Sequence, residues 1–289
     1  FASVTIGNHR QQRYELGLRT PLIKDKLFFG LAALADARNG LYTNGFNDRP
    51  YDKQHSVTGN YYLKYLVNTR WQATLNVKHT GNRNRGPFPL VMGKEEAFDH
   101  PFQLNQNAVT RMVDNIFNSS LSVRHNGRAF NFSSQTAFQS NRRYYTDPID
   151  GDFSPIDGIS IINDYGHRWN KVQVWTQEFR FTSPASQGGP FRWTAGTYLF
   201  AQDNPVKQTT RFGEDAAWVG APTPNVSIIN TSKGKSYGIA VYGQGTYALT
   251  NKLQLTVGLR YDHEYKKQTV LSQYQEDPHP DPEFDLVPD

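Results

Sequence analysis

The sequence predicts an all-β chain folded as an antiparallel up-and-down transmembrane β-barrel. Three observations carry that expectation. Apolar and polar residues alternate with a period of two, the alternating runs are about ten residues long, and the connections between them sort into a short and a long class.

Composition narrows the field first. The 289 residues hold 16 Tyr, 18 Phe and 5 Trp against 2 Met, with 23 Gly, a balance that favours strands and tight turns over helices. Only 37% are hydrophobic, the mean hydropathy is −0.67, and no run approaches the roughly 18 apolar residues of a helical span. A helical membrane protein is therefore excluded. The absence of Cys excludes a disulfide-stapled domain, a thiolate metal site and a Cys nucleophile. A net charge of +5 without dense basic stripes argues against a nucleic-acid partner. Phe1-Ala2-Ser3-Val4 is no signal peptide and no Met opens the chain, so a mature chain or a fragment is expected.

Eleven strands are expected in order, near 1–7, 11–20, 27–37, 55–67, 70–80, 118–126, 129–140, 174–183, 191–203, 236–249 and 252–267. The alternation is strict in Arg13-Tyr14-Glu15-Leu16-Gly17-Leu18-Arg19, from Trp71 to Lys78 and from Leu253 to Asp262, and weaker in 27–37 and 129–140. Strands of globular domains average about five or six residues, whereas one that crosses a bilayer requires about nine to eleven. Every second connection is a tight turn: Pro21 to Lys26, Asn68-Thr69, Gly127-Arg128, Pro184 to Pro190 and Thr250-Asn251. The others, after the first, are long and rich in Gly, Pro, Asn and Asp. In a meander, alternate connections share one end, so all long loops lie at one end and all tight turns at the other. That asymmetry is the outer-membrane barrel pattern, which a soluble sandwich with both ends in water has no reason to adopt.

Chemistry assigns the faces. Leu75, Val77, Phe179, Phe181, Leu255, Val257 and Leu259 suit lipid, while Lys78, Arg124, Glu178, Arg180, Arg192, Arg260, Asp262 and Glu264 belong on a wet or protein-filled lumen. An Arg or Lys at a lipid midplane costs about 2–4 kcal/mol. Tyr61, Tyr65, Trp71, Trp175, Trp193, Tyr237, Tyr247, Tyr261 and Tyr265 fall on the apolar side, many near strand ends, as aromatic girdles do. The chain stops in the polar stretch Pro278-His279-Pro280-Asp281-Pro282. Bacterial barrels have an even strand number and an open sheet leaves unpaired edges in lipid, so the chain is expected to be part of a larger barrel.

Several segments resemble one family. Thr20-Pro21-Leu22-Ile23-Lys24-Asp25-Lys26-Leu27-Phe28 resembles the first periplasmic turn after the plug of TonB-dependent outer-membrane receptors. Thr176-Gln177-Glu178-Phe179-Arg180-Phe181-Thr182-Ser183-Pro184, followed by Trp193-Thr194-Ala195-Gly196-Thr197-Tyr198, resembles their mid-barrel hairpin. The most specific match is Tyr242-Gly243-Gln244-Gly245-Thr246-Tyr247-Ala248-Leu249-Thr250 with Val257-Gly258-Leu259-Arg260-Tyr261-Asp262-His263-Glu264. The likeness covers nearly all strands and turns and none of the long loops. It implies a barrel of 22 strands, of which residues 1–289 are about the first half, ten to eleven strands, without the N-terminal plug, its TonB-contacting box and the closing strands. It further implies an outer-membrane receptor of a Gram-negative bacterium, siderophore-receptor-like, energised by TonB with its inner-membrane motor through that plug. Its partners are a siderophore or similar scarce nutrient, outer-membrane lipid and lipopolysaccharide. No cofactor is implied, and iron enters only within a ferric-siderophore ligand.

Nothing in the residues supports an enzyme. GxSxG and HExxH are absent, the eight His are scattered, and Glu95-Glu96 sit in a loop with no apolar pocket to tune them. Tyr242 to Ala248 satisfies a loose GxGxxA pattern, but the alternation runs through it and no helix follows, so it reads as strand. Asp147-Pro148-Ile149-Asp150-Gly151-Asp152 lacks the spaced Glu of an EF-hand and reads as a turn, and no metal site is expected. The segments 38–54, 81–117, 141–173, 204–235 and 268–289 together carry −4, which leaves +9 on the strands and short connections. A basic lumen concentrates anionic ligands; pairing with an acidic plug surface or with lipopolysaccharide phosphates near the rim accounts for the same charge.

Within the long segments, basic and aromatic residues lie together: Arg83, Arg85 and Phe88; Arg142, Arg143, Tyr144 and Tyr145; Arg168 and Trp169; Arg211 and Trp218. Guanidinium and ring faces suit aromatic, anionic chelates, which makes Arg83, Arg85, Arg142, Arg143, Tyr144, Tyr145, Trp169, Arg211 and Trp218 the candidate ligand-binding residues. The same residues also pack loops on one another. The leading expectation is uptake of a ferric siderophore. The alternatives are cobalamin or oligosaccharide uptake by the same machinery, a passive porin-type or adhesin-like barrel, and, weakest, a soluble lectin-like sandwich.

Overall fold

The computed structural model describes residues 1–184 and 188–276 of the chain. Eleven long strands follow one another: β1 (Ala2–Gly7), β2 (Gln11–Ile23), β3 (Leu27–Asn39), β4 (Lys53–Leu66), β5 (Trp71–Arg85), β6 (Arg111–Asn126), β7 (Asn131–Tyr145), β8 (Lys171–Thr182), β9 (Phe191–Phe212), β10 (Val226–Ala248) and β11 (Gln254–Glu276). Each pairs antiparallel with the next, so the expected meander is observed. Tyr242 to Ala248 lies inside β10, as strand. The sheet is open: among the described residues β1 pairs only with β2, and β11 only with β10. The Pro-rich stretch 278–282 lies outside the described residues.

Register keeps the two faces separate over the whole sheet, because side chains directly opposite each other in paired strands share a face. One row runs Leu18–Leu31–Tyr61–Val77 across β2 to β5. The opposite face carries Gln72–Arg124–Ser133–Arg180–Gly196–Tyr242–Arg260 across β5 to β11. The apolar face is left exposed, with Leu75, Leu121, Leu255, Val257 and Leu259 all open on it, the state expected of a surface meant for lipid. The few polar groups there pair locally, as where Gln177 Nε2 donates to Ser134 Oγ at 2.9 Å.

Aromatic rings collect at both margins of this face. Toward the short turns Trp71 stacks on His125 at 4.3 Å and Phe132 meets Phe181 at 5.0 Å. Toward the long loops Phe138 meets Trp175 at 4.4 Å and Tyr237 stacks on Tyr265 at 5.0 Å. Tyr237 and Tyr247 both lie on β10, ten residues apart. That is about 33 Å of strand, and about 25 Å of height once the strand tilts by about 40°, the thickness of the apolar band of such barrels.

The main departure from the sequence reading is at the long-loop end. Strands run further than the alternation shows: β5 to Arg85, β7 to Tyr145, β9 to Phe212, while β6 begins at Arg111 and β10 at Val226. Arg83, Arg85, Arg142, Arg143, Tyr144, Tyr145 and Arg211, expected in loops, are therefore strand residues. Backbone pairing continues past the aromatic margin, but these ends pack on the loops and not on a uniform apolar medium, so no period-two pattern records them. Strand β9 even passes through Pro205, at the level where its pairing with β8 has ended and Asn170 N–H donates to the Pro205 carbonyl.

The charge ledger changes with the boundaries. The true long connections are 40–52, 86–110, 146–170 and 213–225. They hold three cations, Arg49, Lys94 and Arg168, against twelve carboxylates. These loops are thus acidic, whereas the strand ends below them carry the cations assigned to them from sequence.

Candidate functional site

The four long connections are knitted into one layer. In 40–52, Thr43–Asn44 pairs with Arg49–Pro50 and, in parallel, with Gln103–Leu104 of the next loop. Gln106 is the centre of this joint, only 1% exposed. Its N–H donates to Asn44 Oδ1 at 3.0 Å, and its Nε2 donates to the carbonyls of Leu90 and Phe88 at 2.8 and 3.1 Å. Its Oε1 accepts from the Tyr51 hydroxyl, and Asn44 Nδ2 donates back to its carbonyl at 2.8 Å. Every polar atom is matched, as burial requires. Gly86, at φ +57, ends β5 under the Tyr51 ring, where a Cβ would stand 2.6 Å from the ring, so both the turn and the packing demand glycine.

The third loop joins through Thr110 Oγ1, which donates to the Pro148 carbonyl at 2.9 Å, and Asn107 Nδ2, which donates to that of Ile156 at 2.7 Å. The fourth joins where Asp157 N–H donates to Asp215 Oδ2 at 2.9 Å and Gly213 N–H to the Gly158 carbonyl at 3.0 Å. The acidic run 147–152 is a loop frame, as read from sequence. Asp150 Oδ1 accepts from the amides of Asp152 and Phe153, and Asp152 Oδ2 from those of Gly158 and Ile159. Burial beside Asp152 pushes the Asp150 carboxyl up to about 7. Burial also raises the Tyr51 and Tyr165 hydroxyls.

Below this layer the inner wall is polar and charged. Arg13 pairs with Glu15 at 2.6 Å and reaches Asp36 at 3.5 Å. Glu178 accepts from Arg180 and from the Tyr242 hydroxyl, both at 2.7 Å, and Arg260 pairs with Asp262 at 2.7 Å. Gly196 makes room for this contact, since a Cβ there would stand 2.5 Å from the Tyr242 oxygen. Arg124, Arg180 and Arg260 share one cross-strand row, and Glu178 and Asp262 share the next. The wall can therefore hydrogen-bond a wet or polar filling and cannot face lipid.

The nine residues singled out from sequence separate into different settings. Arg142 is held by the loop: it donates to the Gly166 carbonyl at 2.9 Å, pairs with Asp164 at 3.4 Å and lies 4.0 Å over the Tyr144 ring. Arg143 points to the opposite face and pairs at 2.8 Å with Asp114, which is 2% exposed. Tyr145 packs its ring 5.5 Å from Phe88. Arg83 donates to Asn115 Oδ1 at 2.7 Å, and Arg85 to the carbonyls of Tyr51 and Pro50. Trp169 is buried with Ile162 and Tyr165, under the ammonium of Lys207. Arg211 pairs its backbone with Ser160 and Ser227 in β9. Trp218 stands open, 81% exposed on the 3₁₀ turn Ala216–Val219. Sequence reasoning missed Gln106, Asn44, Tyr51 and Thr110, which join the loops. Uncharged polar residues in polar loops give no periodic or motif signal.

No protein-family model matches the chain. Solved structures do, and these neighbours are TonB-dependent siderophore receptors, transport receptors rather than enzymes. The ferric yersiniabactin uptake receptor FyuA from Yersinia pestis matches over 93% of this chain and 42% of its own, with a TM-score of 0.67 at 14% identity. The ferripyoverdine receptor of the outer membrane of Pseudomonas aeruginosa matches over 96% and 38%, with a TM-score of 0.66 at 13% identity. The ferric-catecholate import receptor Fiu from E. coli K12 matches over 94% and 50%, with a TM-score of 0.60 at 13% identity. The chain thus spans half or less of each of these, and at such identities the likeness is one of fold: an open portion of their antiparallel barrel.

Proposed function

We propose that this chain is part of the barrel wall of an outer-membrane receptor that takes up a ferric siderophore or a similar scarce nutrient, energised through TonB. The observation that supports it best is the combination of an exposed apolar band, a charged inner wall and four long loops joined at one end. The sheet that carries it matches structures of siderophore receptors in fold. In this reading the loop layer faces the outside of a Gram-negative cell and captures the ligand. The barrel does no chemistry and holds no cofactor, and iron passes as cargo inside its chelate. TonB acts through a plug that the inner wall would enclose.

The acidic loops over basic strand ends bear on the ligand. Only Arg49, Lys94 and Arg168 stand among the twelve carboxylates of these loops, so capture selects ligands that also offer aromatic or hydrogen-bonding surface. Trp218 provides such a surface. The test is uptake of 55Fe-labelled siderophores, cobalamin and labelled oligosaccharides by iron-limited cells making the full-length receptor, with and without TonB. Uptake of one ferric siderophore that disappears with TonB is expected. Uptake indifferent to TonB, or steady ion conductance of the purified protein in planar bilayers, would replace this reading with a passive pore.

A further inference from the structure

We infer that a recess on the inner side of the β9–β10 hairpin tip receives an acyl chain, so that the ligand is amphiphilic, a polar head carrying an apolar tail. The inference deepens the proposed function and rests on it for the ligand's being cargo.

Local structure builds the recess. Strands β9 and β10 stay paired as far as Phe212 and Val226. Between them the 3₁₀ turn Ala216–Val219 is stopped by Gly220 at φ +81, a left-handed conformation that favours glycine. Asn225, at φ +54, closes the loop, its N–H donating to the Gly213 carbonyl at 3.3 Å. Residues 219–223 thereby lie beside the strand ends. Together they bound a recess of about 490 Å³ whose walls include Phe212, Val219, Pro222, Val226, Ile228 and Tyr274. Among the described residues no charged side chain lines it.

Register places it on the inner side. Phe212, Ile228 and Tyr274 each lie an even number of residues from Gly196, Tyr242 and Arg260 of the inner row, and the pairing between is unbroken. Ile228 stands nine residues beyond Tyr237 of the aromatic margin, about 30 Å of strand and about 23 Å of height at a tilt of about 40°. Bilayer lipid reaches it neither in height nor in side. Apolar surface nevertheless continues down this face to Val206 and Val270, interrupted by the uncharged row Gln208–Asn230–Ser272. Val270 is 65% and Tyr274 59% exposed. Exposed apolar surface that lipid does not cover marks a place where something binds. Six residues separate the Val206 row from the Phe212 row, about 20 Å, a length that suits a chain better than a single ring. Charge selects which end of the ligand enters. Glu214 and Asp215 are the charged residues of 213–225, so an anionic group is repelled from the tip while an uncharged tail is not.

The experiment uses the full-length protein in lipid nanodiscs, with empty nanodiscs as the partitioning blank. It is titrated calorimetrically with the ferric complex of a linear trihydroxamate, acylated on its terminal amine with chains of two, four, six, eight or ten carbons. A methylene that leaves water adds about fourfold in affinity, so binding is expected to tighten with chain length and level off once the recess is full. The longest chain makes binding measurable whatever the head contributes. Ala221→Trp, which fills the recess, and Tyr274→Gln, at an exposed position, are each expected to weaken the ten-carbon probe about tenfold or more and to leave the two-carbon probe unchanged. Phe98→Gln, on another loop and 74% exposed, should change nothing. Unheated gel mobility verifies that each barrel is folded. Affinity indifferent to chain length, or undiminished ten-carbon affinity in folded Ala221→Trp, overturns the inference. Decanoate binding as tightly as the ten-carbon probe also overturns it, because the recess would then hold free fatty acid and not a ligand's tail. Iron uptake indifferent to TonB sinks the transport reading and leaves the chain-length series standing, whereas a flat series sinks only this inference.

Discussion

Gln106→Leu tests whether the loop layer is one cooperative unit. Leucine keeps most of the volume but removes the two donors to the Phe88 and Leu90 carbonyls and the acceptor for the Tyr51 hydroxyl. Each net hydrogen bond contributes about 1 kcal/mol, and buried partners left unmatched cost at least that much. Tyr51 recovers part of the loss, because its hydroxyl already reaches the Phe88 carbonyl at 3.3 Å. The local cost is therefore about 2–3 kcal/mol, which accelerates opening of the layer about 30- to 150-fold. Hydrogen exchange of the full-length protein, read by mass spectrometry, should show that acceleration in 40–52 and 86–110 and a smaller one in 146–170. The segment 237–247 of β10, inside the aromatic margins, should be unchanged. Unchanged protection in the first two loops, or faster exchange spread evenly over the sheet, would refute the claim that Gln106 joins them.

Other outcomes follow from the same structure. The Asp150 carboxyl, raised to about 7, binds its proton more tightly in the folded loop than in the open one. Loop stability is therefore greatest below the ordinary carboxylate range and declines as pH rises through about 4 to about 7. Intrinsically corrected exchange of 146–160 should rise over that window, and Asp150→Asn, which keeps the Oδ1 acceptor, should flatten it. Leu121→Arg, at the centre of the lipid face opposite Leu75, should cost the refolded barrel about 2–4 kcal/mol in urea titrations in lipid vesicles. Ser122→Arg, one residue on and facing the inner wall, should cost far less, and equal costs would refute the face assignment. Trp218→Ala should leave exchange and refolding unchanged while removing the part of the tryptophan fluorescence that ligand quenches.

The eleven strands were legible because a bilayer imposes a pattern that water does not. From Trp71 to Val77 every odd side chain must be tolerated by lipid, and the even ones have only the inner wall to face, so the alternation is forced into the sequence. Beyond the aromatic margin that pressure stops. Asn204-Pro205-Val206-Lys207 carries no period and contains a residue that lacks an N–H, yet it continues β9 with full pairing to β10. Pairing there is sustained by the neighbouring backbone, a long-range cause that local composition does not report.

The same limit explains the candidate site. Clusters of Arg and aromatic residues suggested ligand contacts because a guanidinium meets a chelate's carboxylate or catechol as it meets any acceptor. Loop carbonyls and buried carboxylates offer the same acceptors at closer range. Arg142 takes Gly166 and Asp164, Arg143 takes Asp114, and Arg85 takes Pro50 and Tyr51. These pairs answer a requirement of the fold itself, since strand ends that rise beyond the membrane need cations to hold an acidic loop layer in place. Under the proposed function, Ala substitutions across Arg142 to Tyr145 would accordingly weaken ligand capture by releasing the loops, even if no atom of the ligand touched them. Contact and support separate only at a residue that supports nothing, and Trp218, open to solvent at the outermost turn, is the position where a loss of binding reports contact.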